Sequence, residues 1–501
     1  MKKIEELKEY LKKIENLQHA GMILNWDMEC SMPKNGVEAH IASLTFLSSE
    51  AFKLSISPIM GEYLEELTKP EVIETLSEID KKMVEKLKED YEKVKNVPVK
   101  LQERITEVTS RSQHEWVEAK KNNDFDKMCP YFEEIIALQK EMASYTDPGK
   151  EPYDVLLNDY EKGMTADKIA GMFEELKKGI LPLIEEIKNK VINEEKKFVG
   201  SYPKSKQQEL SKYLLDVIKY DFDSGILDES EHPFTSGAAP HDVRITTHYM
   251  EDDILPSAFS VLHEGGHALY EQHINPELVG TGLNTGTSMG IHESQSRFYE
   301  NIVGRSKAFW SKHYKEITRL FPEYTEVTLD EFYKGINKVE PSLIRIEADE
   351  LTYNMHIIIR FELERALFDG SLEVKDLPEA WNNKMQQYLG VKPTNNKEGV
   401  LQDVHWPAGL FGYFPSYALG NIYGGQFLEQ MEKELGSIDK ILEEDKLEVI
   451  TDWLCKHIHK YGSMKTPTQI IKDTCGGEID AKSIISYYSK KYTDIYGLEI
   501  K

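Results

Sequence analysis

The sequence predicts a mainly α-helical fold, one large peptide-chain domain over residues 1–501 with a small antiparallel β-sheet set into it. Three observations carry this reading. Apolar residues recur at helical spacing over most of the chain. A single stretch, DVRITTHYM from residue 242, alternates as a strand does. No internal repeat and no low-complexity linker divides the chain. Two helical lobes about a cleft, residues 1–200 and 201–501, are compatible with the same pattern.

The chain opens MKKIEELKEYLKKIENL, with Ile4, Leu7, Leu11 and Ile14 on one helical face. Its positive charges are not followed by an apolar run, so it is expected to be a structural helix and not a signal peptide. No stretch approaches the roughly 18 apolar residues that cross a bilayer. Residues 62–121 are rich in Glu, Lys and Leu and are punctuated by Pro70 and Pro98, the pattern of long helices folded into hairpins. Their charges are a solvated face. Residues 166–195 predict another long helix. The texture then changes, with Gly225, Pro233, Gly237 and Pro240 interrupting the chain. In the alternating stretch, Val243, Ile245, Thr247 and Tyr249 fall on one side, and Arg244, Thr246 and His248 on the other. Helices return after residue 257. Gly280, Gly282, Gly286 and Gly290 mark a loop long enough to have a function.

Charge limits the function classes. Lys and Arg total 61 against 87 Asp and Glu, a formal net charge of −26. That sign excludes nucleic acid and anionic membrane as main partners. Four cysteines, Cys30, Cys129, Cys455 and Cys475, form no CxxC pair. Scattered thiols of this kind fit a reducing compartment, so the expected location is cytoplasmic.

The central signal is FSVLHEGGHALYEQ, which contains HExxH as His263, Glu264, Gly265, Gly266 and His267. Residues four apart share a helix face, so both imidazoles can reach one Zn²⁺. Glu264 is rotated by about 100° from His263 and faces the open side of the metal, where it can act as general base toward a water. Pro256 and Ser257 suit a helix start. Two glycines inside a helix weaken it by roughly 0.5–1 kcal/mol each, which is tolerated where another backbone comes close. IHESQSRFYEN supplies a third ligand, Glu293, on a second helical segment. His292 is its rival; neighbours on a helix diverge by about 100°, so only one faces the metal, and Glu293 gives the His₂Glu set with an open position. Ser296 and Glu300 share its face and would support the ligands. The plain alternative is a polar helix face holding a Glu293–Arg297 ion pair.

These motifs, with others in order along the chain, resemble the carboxypeptidase Taq family of metallocarboxypeptidases. The matching segments are HPF at 232–234, DxRxT at 242–246, HESxSR at 292–297, IRxxAD at 344–349 and GxxQDxHW at 399–406. GYFPSYALGN at 412–421 and WDMECSMP at 26–33 are similar to the family as well. The resemblance implies a helical fold like that of neurolysin and angiotensin-converting enzyme, with a deep active-site groove and the metal at its floor. It implies broad release of single C-terminal residues from peptides, one zinc per chain with cobalt as a possible activating metal, and a homodimer. By motif position, His263, His267 and Glu293 match the ligands and Glu264 the catalytic glutamate.

A carboxypeptidase must hold a free carboxylate, and the planar fork of Arg does this bidentately. Arg345 and Arg244 are the candidates, with His232 and His241 as further substrate contacts. The oxyanion that develops on the scissile carbonyl needs a donor, for which Tyr417 and His405 stand in suitable motifs. The strand from residue 243 could offer an edge to an extended peptide. Three other functions compete: an endopeptidase or dipeptidyl carboxypeptidase on the same fold, a non-catalytic metal- or peptide-binding protein, and a scaffold with an accidental HExxH. An intact Glu264 speaks against the second, and the ordered motifs speak against the third.

Overall fold

The computed structural model describes residues 2–188, 190 and 200–498. Its first helix, Lys2–Cys30, buries Ile4, Leu7, Leu11 and Ile14, the face read from the sequence, together with Tyr10 and Trp26. This stripe packs on Met60, Tyr63, Leu64, Leu67, Met83 and Val84, and reaches Ile274, Leu278 and Leu283 of the glycine-rich loop. Helices Pro58–Leu67, Pro70–Ile73, Glu78–Val94 and Val99–Asn122 follow. Pro70 opens one helix and Pro98 immediately precedes another, as a residue with fixed φ and no N–H should. Ser57 and Ser77 cap two of them by accepting the amides of Met60 and Asp80. The helix expected over 166–195 runs Ala166–Lys188; the rest of that expectation, residue 190 apart, lies outside the described residues. A second and larger apolar core extends from Val108 to Leu498.

The sheet has three strands, β1 (Leu227–Glu229), β2 (Thr235–Ala239) and β3 (Asp242–Thr247), in the order β1-β3-β2. The expected antiparallel pairing is β2 with β3, where Thr235 faces Ile245. β1 joins on the other side in parallel, Leu227 opposite Ile245, so the sheet is mixed. The reason is topological: the chain reverses twice between β1 and β3, which restores its direction. β3 is thereby the central strand, and the free edge facing the cleft belongs to β2. Val243 and Ile245 are buried as predicted, but Thr246 of the opposite face is buried too. Its hydroxyl accepts the Phe234 amide at 2.9 Å and lies 2.6 Å from Ser230 Oγ, which makes the burial affordable for a polar group.

Two helices carry the central motifs. Leu255–Gln272 begins after Ile254, with Pro256 in its first turn, and packs against β3 and against Met289–Arg297. The latter helix starts where Ser288 accepts the Ile291 amide, so Gly290 belongs to its first turn and not to the loop. It continues without a break into a π-helical segment, Phe298–Val303, marked by the Gly304 amide bonding the Tyr299 carbonyl at 2.9 Å. A third helix, Pro415–Leu435, packs along it, Gly420 against Glu293.

Among the described residues no helix is long and apolar enough to cross a membrane.

Candidate active site

Gly266 explains how the two motif helices approach. A Cβ there would stand 2.6 Å from the Gln295 carbonyl oxygen and 2.8 Å from Ser296 Cα, both backbone atoms. Gly265 differs, since it faces the side chains of Ile218 and Leu215. Across the Gly266 contact, His263 and His267 meet Glu293. Glu293 Oε2 lies 3.7 Å from His263 Nε2 and 3.5 Å from His267 Nε2. Ligand atoms at Zn–N and Zn–O lengths of about 2.0–2.1 Å around a tetrahedral ion stand about 3.4 Å apart, so these donors fit such an ion.

The far sides of the ligands are held as well. Arg297 Nε donates to Glu293 Oε1 at 2.7 Å, and Ser296 Oγ lies 3.1 Å from Oε2, which fixes the carboxylate with Oε2 toward the imidazoles. The ion pair that a plain helix face would make is therefore present and serves to orient Glu293. Glu300 Oε2 accepts from His263 Nδ1 at 2.8 Å. His267 Nδ1 meets His292 Nδ1 at 2.7 Å, and His292 Nε2 reaches Glu271 Oε1 at 2.7 Å. His263 and His267 thus each have the outer nitrogen engaged, which leaves both Nε2 atoms able to donate to an ion. His292 sits behind His267 and does not compete with Glu293 for the ligand position.

Burial would raise the Glu293 carboxyl, but Arg297 and His263 outweigh it and hold it far below the usual range. Burial likewise opposes ionisation of Glu300, and Arg297 and His263 bring it down to about 2. Burial pushes His267 down to about 3, the neutral form that a ligand requires. Glu264 is raised by burial, against the pull of His263. Its Oε2 lies 2.6 Å from the Thr235 hydroxyl, so β2 positions this carboxylate.

His263, Glu264, His267, Glu293 and Thr235 line a cavity of about 470 Å³, which Phe234, Met289, Tyr413, Ser416 and Tyr417 help to enclose. His405 lies outside its lining and touches the Tyr417 hydroxyl, Nε2 to OH 3.2 Å. Arg345 is also behind this wall, its guanidinium 5.1 Å from the Tyr417 ring centre. Its Nε and Nη2 donate to Asp403 Oδ1 at 3.1 and 3.0 Å, and Nη1 donates to Tyr353 at 2.9 Å. Arg360 binds the other oxygen, Oδ2, at 2.8 and 2.6 Å. Arg244 is paired with Asp242 at 2.7 Å and stacks over Trp26, 5.7 Å from its ring centre. His19, 3.1 Å from the same carboxylate, brings the first helix to this end of the sheet. His232 and His241 are exposed and outside the cavity lining, because they occupy the turns before and after β2. Sequence reasoning missed Thr235, Glu271 and the role of His292. For Thr235 a signal exists, since it directly follows the HPF motif.

The family described as carboxypeptidase Taq (M32) metallopeptidase matches residues 6–492. The chain belongs to the carboxypeptidase Taq (M32) family. It is accordingly a metal-dependent peptidase, a metallocarboxypeptidase by its relatives. Carboxypeptidase 1 of Bacillus subtilis is 42% identical over 493 residues, 98% of each chain. Thermostable carboxypeptidase 1 of Thermus thermophilus is 38% identical over 504 residues, 98% of this chain and 99% of the relative. The crystal structure of the M32 carboxypeptidase from Deinococcus radiodurans superposes with a TM-score of 0.96 at 32% identity, covering 99% of this chain and all of the other.

Proposed function

We propose that this M32 enzyme removes single residues from the C-terminus of peptides with broad specificity, using one zinc ion per chain held by His263, His267 and Glu293. Cobalt suits the same donors. The observation that carries the reading toward a carboxypeptidase is the arginine pair behind Tyr417. Arg345 and Arg360 share the single carboxylate of Asp403, which leaves one positive charge uncompensated among these three groups. A buried excess cation is costly unless an anion completes it. A peptide's terminal carboxylate is such an anion. Arg345, whose Nη atoms keep N–H groups beyond those given to Asp403 and Tyr353, is therefore the preferred anchor. Arg244 is neutralised by Asp242 and is better suited to closing the far end of the groove.

A metal held by His263, His267 and Glu293 would polarise the scissile carbonyl and acidify a water beside Glu264. Glu264 takes the proton of that water and delivers it to the leaving amine; its raised pKa suits a group that must both accept and donate. Thr235 holds Glu264 in line. Tyr417 lines the cavity and donates to the developing oxyanion, while His405 acts through it as a positioning residue. The Thr246 amide bonds the Phe234 carbonyl, so in β2 the alternate residues Thr235 and Gly237 turn their peptide groups away from β3. Both line the cavity, and an extended substrate can pair with them. We further propose a cytoplasmic homodimer.

The test is mass spectrometry of N-terminally blocked peptides incubated with metal-loaded protein. Stepwise loss of single C-terminal residues is expected, stopped by chelator and by C-terminal amidation. Internal cuts or release of dipeptides would overturn the anchor distance while keeping the metal chemistry.

A further inference from the structure

Among the described residues, two clusters bring metal-ligating atoms within 4.8 Å of one another. One is the His263, His267, Glu293 set. The other is His273, Cys455 and His459, which the peptidase reading does not use. We propose that this second cluster is a metal site for a thiophilic divalent ion of the zinc class, and that it clamps the end of the HExxH helix to the 447–464 segment.

The three residues come from separate elements. His273 is the residue at which helix Leu255–Gln272 ends. Cys455 lies on helix Leu447–His457, and His459 begins the 3-10 turn that follows. The chain breaks between these two at Ile458, whose φ of −127° and ψ of −65° leave the helical region.

The tautomer of His459 is fixed from behind. Its Nε2 lies 2.8 Å from Gln295 Oε1, and Gln295 is itself oriented by donating through Nε2 to Ser294 Oγ at 2.9 Å. With the proton on Nε2, the lone pair of Nδ1 points at Cys455 Sγ, 3.5 Å away. A tetrahedral ion with Zn–S of about 2.3 Å and Zn–N of about 2.0–2.1 Å sets sulfur and nitrogen about 3.6 Å apart. The observed gap is thus the one such an ion would occupy with little movement. The His273 ring lies nearly parallel to His459, at 12° and 5.7 Å between centres, and its Nδ1 is buried without a hydrogen-bond partner among the described residues.

The protonation states agree. Burial lowers His273 and holds His459 well below the ordinary imidazole value, so both rings are neutral. Burial pushes the Cys455 thiol up to about 12, so the ion must displace its proton. His273 and Cys455 are only half-buried, so an ion could reach them from solvent. An imidazole–thiolate set selects zinc over magnesium or calcium.

The catalytic cluster contains no sulfur, and this separates the two sites in one experiment. Metal-free protein is titrated with Co²⁺. The first equivalent is expected to give visible bands without a sulfur signature. The second is expected to add a near-ultraviolet thiolate-to-cobalt charge-transfer band and to release a proton. Cys455→Ser and His273→Ala should each abolish that band while retaining the first-equivalent bands and peptidase activity. A wild type with no thiolate band in excess Co²⁺, or a band that persists in Cys455→Ser, overturns the proposal. Should the variants fail to fold, alkylation of the native wild type decides. Zn²⁺ beyond one equivalent is expected to protect Cys455 from iodoacetamide, read by peptide mass, and equal labelling with and without that zinc refutes the site. Both readouts stand whether or not the enzyme proves to release single residues.

Discussion

Replacing Gly266 by Ala tests whether backbone proximity sets the geometry of His263, His267 and Glu293, the proposed metal ligands. The added Cβ would lie 2.6 Å from the Gln295 carbonyl oxygen, 2.8 Å from Ser296 Cα and 3.0 Å from the Gln295 carbonyl carbon, where ordinary contact begins at 3.4 Å. None of these atoms can turn aside, so the two helices must separate by about 0.8 Å. Glu293 rides on one helix and both histidines on the other, and the 3.5 Å gap from His267 Nε2 to Glu293 Oε2 opens with them. Metal–ligand distances tolerate only about 0.2 Å, so metal affinity should fall at least on the order of 10-fold. Stability should fall by up to about 2.5 kcal/mol. Overpacking costs about 1–3 kcal/mol, and the better helix propensity of Ala returns about 0.5–1 kcal/mol. Chelator competition gives the affinity, and thermal melting of metal-free protein gives the stability. Gly265→Ala is the control, because its Cβ meets the movable side chains of Ile218 and Leu215. If Gly266→Ala binds metal as tightly as wild type, the argument from helix approach is wrong.

Three further outcomes follow from the site. Glu264→Gln should retain metal and lose about 10²–10⁴-fold in kcat, the worth of a general base; near-normal turnover would remove Glu264 from that role. Glu300→Ala releases His263 Nδ1 and should weaken metal binding by about 10–100-fold, measured against the same chelator, whereas unchanged affinity would make the contact incidental. Glu364, buried and raised to about 7, is more protonated in the folded than in the unfolded chain between about pH 4.3 and 7. Its contribution is full below the lower value and is lost as pH rises through the upper, about 1.4 kcal/mol per pH unit. Glu364→Gln should flatten that part of the stability–pH profile of metal-free protein, and a profile parallel to wild type would contradict the shift.

Local signals carried much of the site. HExxH and the HESxSR segment could be read because helix geometry alone places i and i+4 together, and their helices form where caps and prolines say they do. The face of the first helix was legible for the same reason. What was not legible depends on contacts between distant segments. The HPF motif marks the neighbourhood of Thr235, but not its bond to Glu264, 29 residues on. The pairing of Arg345 with Asp403 spans 58 residues, out of reach of any local pattern, and makes the candidate anchor part of a shared cluster. The parallel placement of β1 required knowing that the chain passes across β3, which alternation within one strand cannot reveal. His232 and His241 carry plausible chemistry, yet both fall in turns, and turn residues point wherever the flanking strands leave them.

The π-helical segment from Phe298 to Val303 has a further consequence. A π turn is an α turn that has absorbed one extra residue, so every position beyond it is out of phase with the helix before it. Glu293, Arg297 and Glu300 stand at i, i+4 and i+7 and share one face; Arg305 lies beyond the segment, out of that phase. The shared face lets Glu293 and Glu300 both reach His263, at Nε2 and at Nδ1, and the widened turn that follows brings Arg305 to 3.4 Å from Glu300. Deleting a single residue from the segment would let a regular helix close over the gap. With a residue after Glu300 removed, Glu293 and Glu300 would keep their common face toward His263, while Arg305 would rotate away from the carboxylate it reaches.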